Sequence, residues 1–381
     1  MLSVSAILTG CGSDSSNSPD TPELSTDYTA VVLQAVFGQG SNVAISDAGD
    51  LSKMVQGYYA ESDTNFILRS DDEHFYIIGR DTDVIDKYEP KNPGINQYGP
   101  GYSLKDAGQS TTSRVHDMAF ISEEKAYLAL YGETAAWIVN TTARNSADFK
   151  TGQIDLSAYV AADDTQSPAP EMHTVALYND KAFITMQRQG DTEQSYGYPR
   201  SAYIAVIDTT TDTEIDVNTQ AEGLKGIELD IINPINSAIS GNQLYVQGID
   251  YYGGYTGGLV RINMDTYEQT IIYNATEETG SISDVAIVNN EVYVVIYHGW
   301  KNNSLAKVNT TNGSLEIVDA YKNLFLSFIK TGPQGNLWIG QGNSNEDNPS
   351  KLIKLSKTDL SIMDSVNMDL DPIGLSFVTN D

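Results

Sequence analysis

One motif recurs six times along this chain of 381 residues and constrains the fold more than any other feature. Each copy has a short apolar run around a central residue, a tight polar turn, and a second strand with an aromatic residue near its start. The central residues lie 41 to 62 positions apart. Such a period indicates an array of similar units, because one unit cannot bury its own faces. The central residues are Ile67, Ala119, Ala176, Ala238, Ala286 and Ser327, and the aromatic residues are Tyr76, Tyr127, Phe183, Tyr245, Tyr293 and Trp338.

Two further strands follow each copy. The third ends in a turn in which Asp, Asn or Ser precedes Thr or a further turn-forming residue, as in WIVNTT, AVIDTTTD, VRINMDT and AKVNTTNG. These side chains favour hairpins because they hydrogen-bond to their own nearby backbone. A fourth strand follows, as in GQIDLSAYV and EQTIIYN. Four antiparallel strands per unit are typical of a β-propeller blade, so the sequence predicts an all-β fold.

The two ends of the chain are predicted to share one more blade. The last run, DPIGLSFV, matches the first strand of a blade, with Ser376 at the central position. The N-terminal runs TAVVLQAVF, SNVAISD and KMVQGYY supply the three strands that it lacks. Closure stabilises the array because it removes open strand edges. We therefore predict a seven-bladed propeller over residues 28–381, closed by its N- and C-terminal strands.

Turns of the IDTTTD type resemble those of the YncE and YVTN family of seven-bladed propellers, and this resemblance covers nearly all of the chain after residue 27. This resemblance predicts the fold of the chain but not the chemistry of its binding or catalytic site. Lipid-anchored propellers of this kind include surface proteins that capture cobalamin or iron–siderophore complexes for TonB-dependent transporters. The resemblance thus implies ligand capture and a membrane partner as expectations.

A lipid anchor is predicted at Cys11, the only cysteine of the chain. The run LTGC resembles the bacterial lipobox, in which the cysteine is diacylated and becomes the mature N-terminus. The resemblance implies a signal peptide over residues 1–10 and a lipidated, flexible linker over residues 11–27. Residues 1–10 are short for a signal peptide and contain no Lys or Arg, which indicates an internal start or a trimmed sequence. Gly12 and Ser13 follow the cysteine in place of an inner-membrane retention aspartate, so the resemblance also implies outer-membrane anchoring.

The charge of the chain argues against nucleic acid as a partner. Fifty-one acidic residues against 22 basic ones give a formal net charge of −29. Such a charge repels phosphate backbones and anionic lipid heads. It suits solubility in a salty or extracellular setting, or alternatively a site for a cation or cationic ligand.

Long aromatic loops gather on one face of the predicted ring. In a propeller with strands A to D per blade, the B-to-C and D-to-A connections share one face, while the A-to-B and C-to-D turns share the other. The B-to-C loops of blades 4 to 7 are long, among them QGDTEQSYGYPRS and DYYGGYTGG. Tyr and Trp offer large contact areas with few rotors. We expect either a ligand-binding patch or aromatic caps on the blade ends from Tyr196, Tyr198, Tyr251, Tyr252, Tyr255, His298 and Trp300.

One long connection does not follow this rule. The segment EPKNPGINQYGPG of blade 2 joins strands C and D, which places it on the opposite face. Its composition indicates no role.

Polar residues are expected around the mouth of the central channel. His116 and His173 each stand three positions before a central alanine, so neighbouring inner strands present them at one level. They could form a metal site, a proton-transfer pair or a polar lining. The next positions form a partial polar ring in which Asp117 and Asp284 are candidate calcium ligands, although no D-x-D-x-D-G loop is present. The ring comprises Asn65, Asp117, Thr174, Asn236 and Asp284.

These observations lead to one functional expectation and two alternatives. We expect an outer-membrane lipoprotein that binds a small ligand, such as a cofactor or metal complex, on the aromatic face and hands it to a transporter such as a TonB-dependent receptor. The first alternative is a protein-binding scaffold at the outer membrane. The second is a lactonase-like hydrolase, for which the chain shows no G-x-S-x-G, Walker or H-E-x-x-H motif. An enzyme is thus the less favoured hypothesis.

Overall fold

Runs of β-branched and aromatic residues separated by polar turns form 30 strands in the part of the chain that the structure describes. The structure is a computed structural model that describes residues 27–90, 95–99, 101–105, 112–162, 164, 168–189, 201–218, 224–249, 255, 257–345 and 347–380. The strands form seven antiparallel sheets. The predicted seven-bladed propeller is therefore confirmed.

Each blade runs from an inner strand at the channel to an outer strand. Blade 1 contains β30 (Pro372–Thr379), β1 (Tyr28–Val36), β2 (Gly40–Asp47) and β3 (Asp50–Glu61). Blade 2 contains β4 (Phe66–Ser70), β5 (Phe75–Gly79), β6 (Val84–Pro90), β7 (Ile95–Gln97) and the short β8 (Tyr102–Ser103), which also pairs with β6. Blade 3 contains β9 (Val115–Ser122), β10 (Lys125–Leu130), β11 (Ala135–Val139) and β12 (Lys150–Asp155).

The remaining four blades follow in chain order. Blade 4 contains β13 (Met172–Tyr178), β14 (Lys181–Met186), β15 (Tyr203–Asp208), β16 (Thr213–Glu214) and β17 (Ile227–Glu228), which also pairs with β15. Blade 5 contains β18 (Pro234–Ser240), β19 (Gln243–Ile249), β20 (Gly257–Asn263) and β21 (Gln269–Asn274), and blade 6 contains β22 (Ser281–Val288), β23 (Glu291–Tyr297), β24 (Asn303–Val308) and β25 (Leu315–Ile317). Blade 7 contains β26 (Leu326–Thr331), β27 (Leu337–Gln341), β28 (Lys351–Leu355) and β29 (Ile362–Asn367). Short 3-10 helices lie at Ser146–Asp148, Ser157–Tyr159 and Asp319–Tyr321.

Blade 1 closes the ring from both ends of the chain, as predicted. Strand β1 pairs antiparallel with β30, in register from Tyr28 opposite Thr379 to Leu33 opposite Gly374. The inner strands of neighbouring blades lie side by side all the way round, including β26 beside β30 and β30 beside β4. A side-chain contact also crosses the junction, because Lys354 Nζ in blade 7 donates to the Ala48 carbonyl at 2.8 Å.

The core lies between the blades. The second strand of each blade is almost wholly buried, as in β10 and β14, because both of its faces pack against neighbouring sheets. One apolar cluster runs without interruption from blade 2 to blade 4 and includes Tyr76, Tyr127 and Ile184. Each blade thus depends on its neighbours for burial.

The repeat has the expected register in four blades and a shifted one in two. Tyr127, Phe183, Tyr245 and Tyr293 lie opposite the central alanines of blades 3 to 6. In blade 2, however, Tyr76 lies opposite Arg69, and in blade 7 Trp338 lies opposite Lys330. The assignment of Ile67 and Ser327 as the equivalent central residues was therefore wrong.

The predicted turn chemistry is present after the third strands. Asp208 Oδ1 accepts hydrogen bonds from the backbone of Thr210 and Thr211 at 2.8 and 3.0 Å. Equivalent bonds to the side chains of Asn140, Asn263 and Asn309 occur in blades 3, 5 and 6. Within the described residues, no helix is long and apolar enough to cross a membrane. The predicted lipidation site, Cys11, lies outside the described residues.

Candidate ligand site at the channel mouth

Blades 2, 3 and 4 bring a cluster of polar side chains together where their inner strands begin. His116 is the second residue of β9 and His173 is the second residue of β13. Their ring centroids are 4.6 Å apart with the rings at 83°, so the two histidines meet as their equal spacing predicted. Tyr131, which follows β10, stacks on His116 at 4.5 Å. Arg80, which follows β5, places Nη2 2.5 Å from His116 Nε2. All four lie on the face that carries the B-to-C loops.

Both imidazoles are held in their neutral form. Burial, followed by the charge of Arg80, lowers the pKa of His116 far below its usual range. Burial, again with Arg80 as the next cause, lowers the pKa of His173 to about 3. A neutral imidazole presents one N–H donor and one acceptor nitrogen. Near neutral pH the cluster therefore combines uncharged imidazoles with a positive guanidinium.

Positive charge is concentrated at this point of an acidic protein. Arg69, Arg80 and Arg114, three of the seven arginines in the chain, all act on His116 electrostatically. Arg69 forms an ion pair with Asp117. Arg80 is half-buried and forms no ion pair among the described residues; its contact is with His116. A desolvated guanidinium without a carboxylate is costly unless an anion joins it.

The residue immediately before the inner strand has a left-handed backbone in blades 3 to 6. In blades 3 and 4 it is Arg114 (φ 50°) and Glu171 (φ 58°), while in blades 5 and 6 it is Asn233 (φ 46°) and Gly280 (φ 83°). Glu171 accepts a hydrogen bond from the Tyr131 hydroxyl at 3.2 Å and another from the Gln189 backbone. It thereby orients the ring that stacks on His116.

Two cations deeper in the channel were not foreseen from the sequence. Arg69 and Lys330 lie at the mid-strand positions where blades 3 to 6 have alanine. Desolvation by the channel walls, with the charge of Arg69 as the next cause, lowers the pKa of Lys330, although its side chain is open to the channel solvent and donates to the Leu375 carbonyl at 2.7 Å. Arg69 belongs to blade 2 and Lys330 to blade 7, and blade 1 lies between these two blades. Because their side chains interact although the blades are not neighbours, both side chains lie on the channel. Because Asp117 neutralises Arg69, an anion at the mouth faces one further positive charge below it, that of Lys330.

The spacing of the motif contained the signal for these two residues. In blades 3 to 6 the central alanine and its aromatic partner are 7 or 8 positions apart. Pairing Tyr76 with Ile67 requires 9, and pairing Trp338 with Ser327 requires 11. Arg69 and Lys330 restore spacings of 7 and 8.

The two candidate calcium ligands, Asp117 and Asp284, connect neighbouring blades. Asp117 accepts hydrogen bonds from the backbone of Met118 and, across the blade junction, Val175 at 2.7 Å. Asp284 does the same with Val285 and Ile329, both at 2.8 Å. These contacts account for both carboxylates without a metal ion. Among the described residues, no group of three or more His, Cys, Asp and Glu side chains is arranged to hold a metal.

The polar ring is incomplete in blade 2. Asn236 continues the inter-blade pattern, since its Nδ2 donates to the Ser283 carbonyl at 3.3 Å, and Thr174 pairs with Thr185 inside blade 4. Asn65 does not belong to the ring. It precedes β4 and donates to Asp81 Oδ2 at 2.7 Å, because the register of blade 2 is shifted.

The aromatic loop face is described only in part. Tyr196, Tyr198, Tyr251 and Tyr252 lie outside the described residues, and Tyr255 is half-buried. His298 packs on Gly280, where an added Cβ would come within 2.9 Å of its ring. Trp300 lies at the tip of the blade 6 loop with 73% of its surface exposed and its ring 5.4 Å from Phe325. The structure does not bring His298 or Trp300 into contact with the histidine pair.

Comparison with known proteins supports the architecture. No family model matches the chain, and no curated protein matches its sequence. Among solved structures, apo AztD from Citrobacter koseri is 12% identical with a TM-score of 0.52, over 93% of this chain and 98% of that one. A proposed 6-phosphogluconolactonase from Bacteroides uniformis is 14% identical with a TM-score of 0.59, over 93% and 100%. A second such protein, from Bacteroides fragilis, is 12% identical with a TM-score of 0.58, over 95% and 100%. These similarities show the fold alone.

Proposed function

We propose that this protein binds a small anionic ligand at the mouth of its central channel. The observation that carries the proposal is Arg80, a half-buried guanidinium that contacts the neutral imidazole of His116 and forms no ion pair among the described residues. Its planar fork suits a carboxylate or a phosphate. His116 and His173 offer neutral donors and acceptors beside it.

The charge distribution selects a small ligand. The net charge of −29 repels extended polyanions such as nucleic acids. A compact anion enclosed at the mouth experiences mainly the nearby arginines, because ionic screening weakens charges beyond about 8–10 Å. The ligand class is therefore a small molecule with carboxylate or phosphate groups, including an anionic metal complex.

The proposal also covers where the protein is anchored and which partner receives its ligand. We infer a YncE-like propeller anchored to the outer membrane through lipidated Cys11, which delivers its ligand to a membrane transporter such as a TonB-dependent receptor. The LTGC run and the polar segment after it support the anchor. The seven-bladed fold supports the family resemblance.

A protein-binding scaffold is the second candidate. Trp300 and Phe37 support it, because their side chains are 73% and 95% exposed at the tips of B-to-C loops on the same face as the channel mouth. Exposed aromatic side chains of this size are typical of contact sites for other proteins. In this alternative the mouth would carry no ligand.

Calorimetric titration of citrate and inorganic phosphate into the full chain tests the proposal. We expect at least one of the two anions to bind, and Arg80→Gln to weaken that binding by about 10- to 100-fold through loss of charge-assisted hydrogen bonds. Arg144→Gln is the matched control, because Arg144 is exposed on the opposite face and should leave the affinity unchanged. Absence of binding for both anions, or equal losses in the two variants, would contradict the proposal.

A further inference from the structure

A cavity of about 1090 Å³ lies between blades 2 and 3 on the face opposite to the channel mouth. Its walls come from the A-to-B turns around residues 70–74 and 121–123, from the C-to-D connection of blade 3, and from the segment between β7 and β8 of blade 2. The segment EPKNPGINQYGPG is not one long connection as predicted, because it contains the end of β6 and the whole of β7. It contributes Tyr98 and Gly99 to the cavity, and β8 contributes Tyr102. The volume lies just above the usual range for small-molecule sites, about 300–1,000 Å³.

A buried ammonium group faces this cavity. Lys87 lines it and is only 3% exposed. Its Nζ donates to the Thr141 carbonyl at 3.2 Å and lies 4.8 Å from the centre of the Tyr98 ring. An ammonium has three donors, and among the described residues Lys87 has this one acceptor. Its remaining donors therefore favour an oxygen-bearing ligand in the cavity.

Tyr98 forms an aromatic platform at the same place. Its backbone N–H donates to the Lys87 carbonyl at 2.8 Å, and its ring lies 4.5 Å from the His74 ring. These contacts hold the side chain while 51% of its surface stays exposed. A fixed, half-exposed aromatic ring is suited to stack against an apolar ligand face.

The charged side chains around the cavity are of both signs, which favours a neutral ligand over a strongly ionic one. Asp72, Glu73 and Glu123 are exposed at the rim and would repel an anion, whereas Lys87 and Arg144 would repel a cation. A neutral polyhydroxylated molecule is compatible with both signs, because each hydroxyl accepts from Lys87 or Arg144 and donates to a carboxylate. The C–H face of a sugar ring also fits the Tyr98 platform. We propose that this cavity binds a neutral saccharide, independently of the anion site on the opposite face.

Binding of neutral oligosaccharides to the full chain tests this inference. Isothermal titration with hexose and N-acetylhexosamine oligomers should give binding for at least one of them. Tyr98→Ala should weaken it by about tenfold through loss of the stacking surface, and should fold normally because half of the side chain is exposed. Lys87→Met, which keeps the aliphatic stem, should weaken it as well.

The control is Trp300→Ala, which removes an exposed aromatic ring from the opposite face and should leave saccharide affinity within about twofold. The inference fails if no neutral oligosaccharide binds, if Tyr98→Ala binds as tightly as the wild type, or if only charged saccharides bind. Because Arg80→Gln should leave this binding unchanged, failure here and failure of the anion site are distinguishable.

Discussion

Arg114, Glu171 and Asn233 occupy equivalent positions in successive blades, each turning the chain into its inner strand with a left-handed backbone. This conformation costs a residue with a Cβ about 1–2 kcal/mol, and asparagine less than arginine. Blade 6 avoids the cost with Gly280. Blade 3 retains it with Arg114, whose charge acts on His116 at the channel mouth. Blade 3 keeps the backbone strain at Arg114, whereas blade 6 avoids it with Gly280. This difference indicates a functional role for the Arg114 side chain.

Replacement of Arg114 separates this strain from binding. Arg114→Gly should raise the free energy of unfolding by about 0.5–1 kcal/mol, because relief of the left-handed strain exceeds the added freedom of the unfolded chain. The same variant should weaken anion binding, whereas Arg114→Lys should retain most of it. Thermal melting and calorimetric titration measure the two effects. A glycine variant that is less stable than the wild type and binds equally well would show that the arginine has a structural role.

Asp284 gives a pH dependence of stability. Burial raises the pKa of this carboxyl to about 7, against the opposing effect of its two backbone hydrogen bonds and of Lys330. Since the folded protein holds the proton more tightly than the unfolded chain, the stabilising contribution is complete below about pH 4 and is lost as the pH rises through 7. Lys330 and Arg69 are the cations that share the channel with it.

The variant Asp284→Asn should remove this dependence. The free energy of unfolding is measured with denaturant at pH values from 4 to 8. For the wild type it should fall, relative to the variant, by less than about 1.4 kcal/mol per pH unit, which is the slope for one whole proton. At pH 4 the variant should be less stable, because an amide oxygen cannot replace both carboxyl acceptors for Val285 and Ile329, and the difference should shrink as the pH rises to 8. Parallel pH profiles for the two proteins would refute the raised pKa.

At the scale of the elements, the strands and turns could be predicted from short motifs, whereas residues whose position depends on strand register could not. The blade count, the closing strand and the Asx turns followed from motifs confined to a few residues. Arg69 and Lys330 were missed because the A-to-B turns of blades 2 and 7 place the aromatic residue opposite a cation instead of the expected central residue. Arg80 and Arg114 were missed for another reason. One follows a second strand and the other precedes a first strand, and only the ring brings them together.

The closing strand is the element on which the array depends. Deletion of residues 372–381 removes β30, which leaves β1 unpaired on its inner side and takes away a neighbour of β4 and β26. We expect the truncated chain to lose its cooperative thermal transition. A chain that begins at Asp27 keeps every described strand and is the control. A truncated protein that melts within about 5 °C of the full chain would show that closure contributes little.

At the scale of the whole molecule, the two faces of the ring differ in chemistry. One face has the channel mouth, with its arginines and neutral histidines, beside exposed aromatic side chains such as Trp300. The opposite face has a cavity between blades 2 and 3, to which Tyr98 and Tyr102 of blade 2 contribute. The chain as a whole carries a formal net charge of −29. The same scaffold thus presents two chemically distinct surfaces, and function is set by the loops and strand ends.

The central claim is that an anion binds beside Arg80. Crystals of the full chain soaked in selenate, whose selenium can be located by anomalous scattering, test it most directly. The account predicts a peak at the channel mouth within hydrogen-bonding distance of the Arg80 guanidinium, and no such peak in crystals of Arg80→Gln. An empty mouth in the wild type, or a peak that persists in the variant, would contradict it.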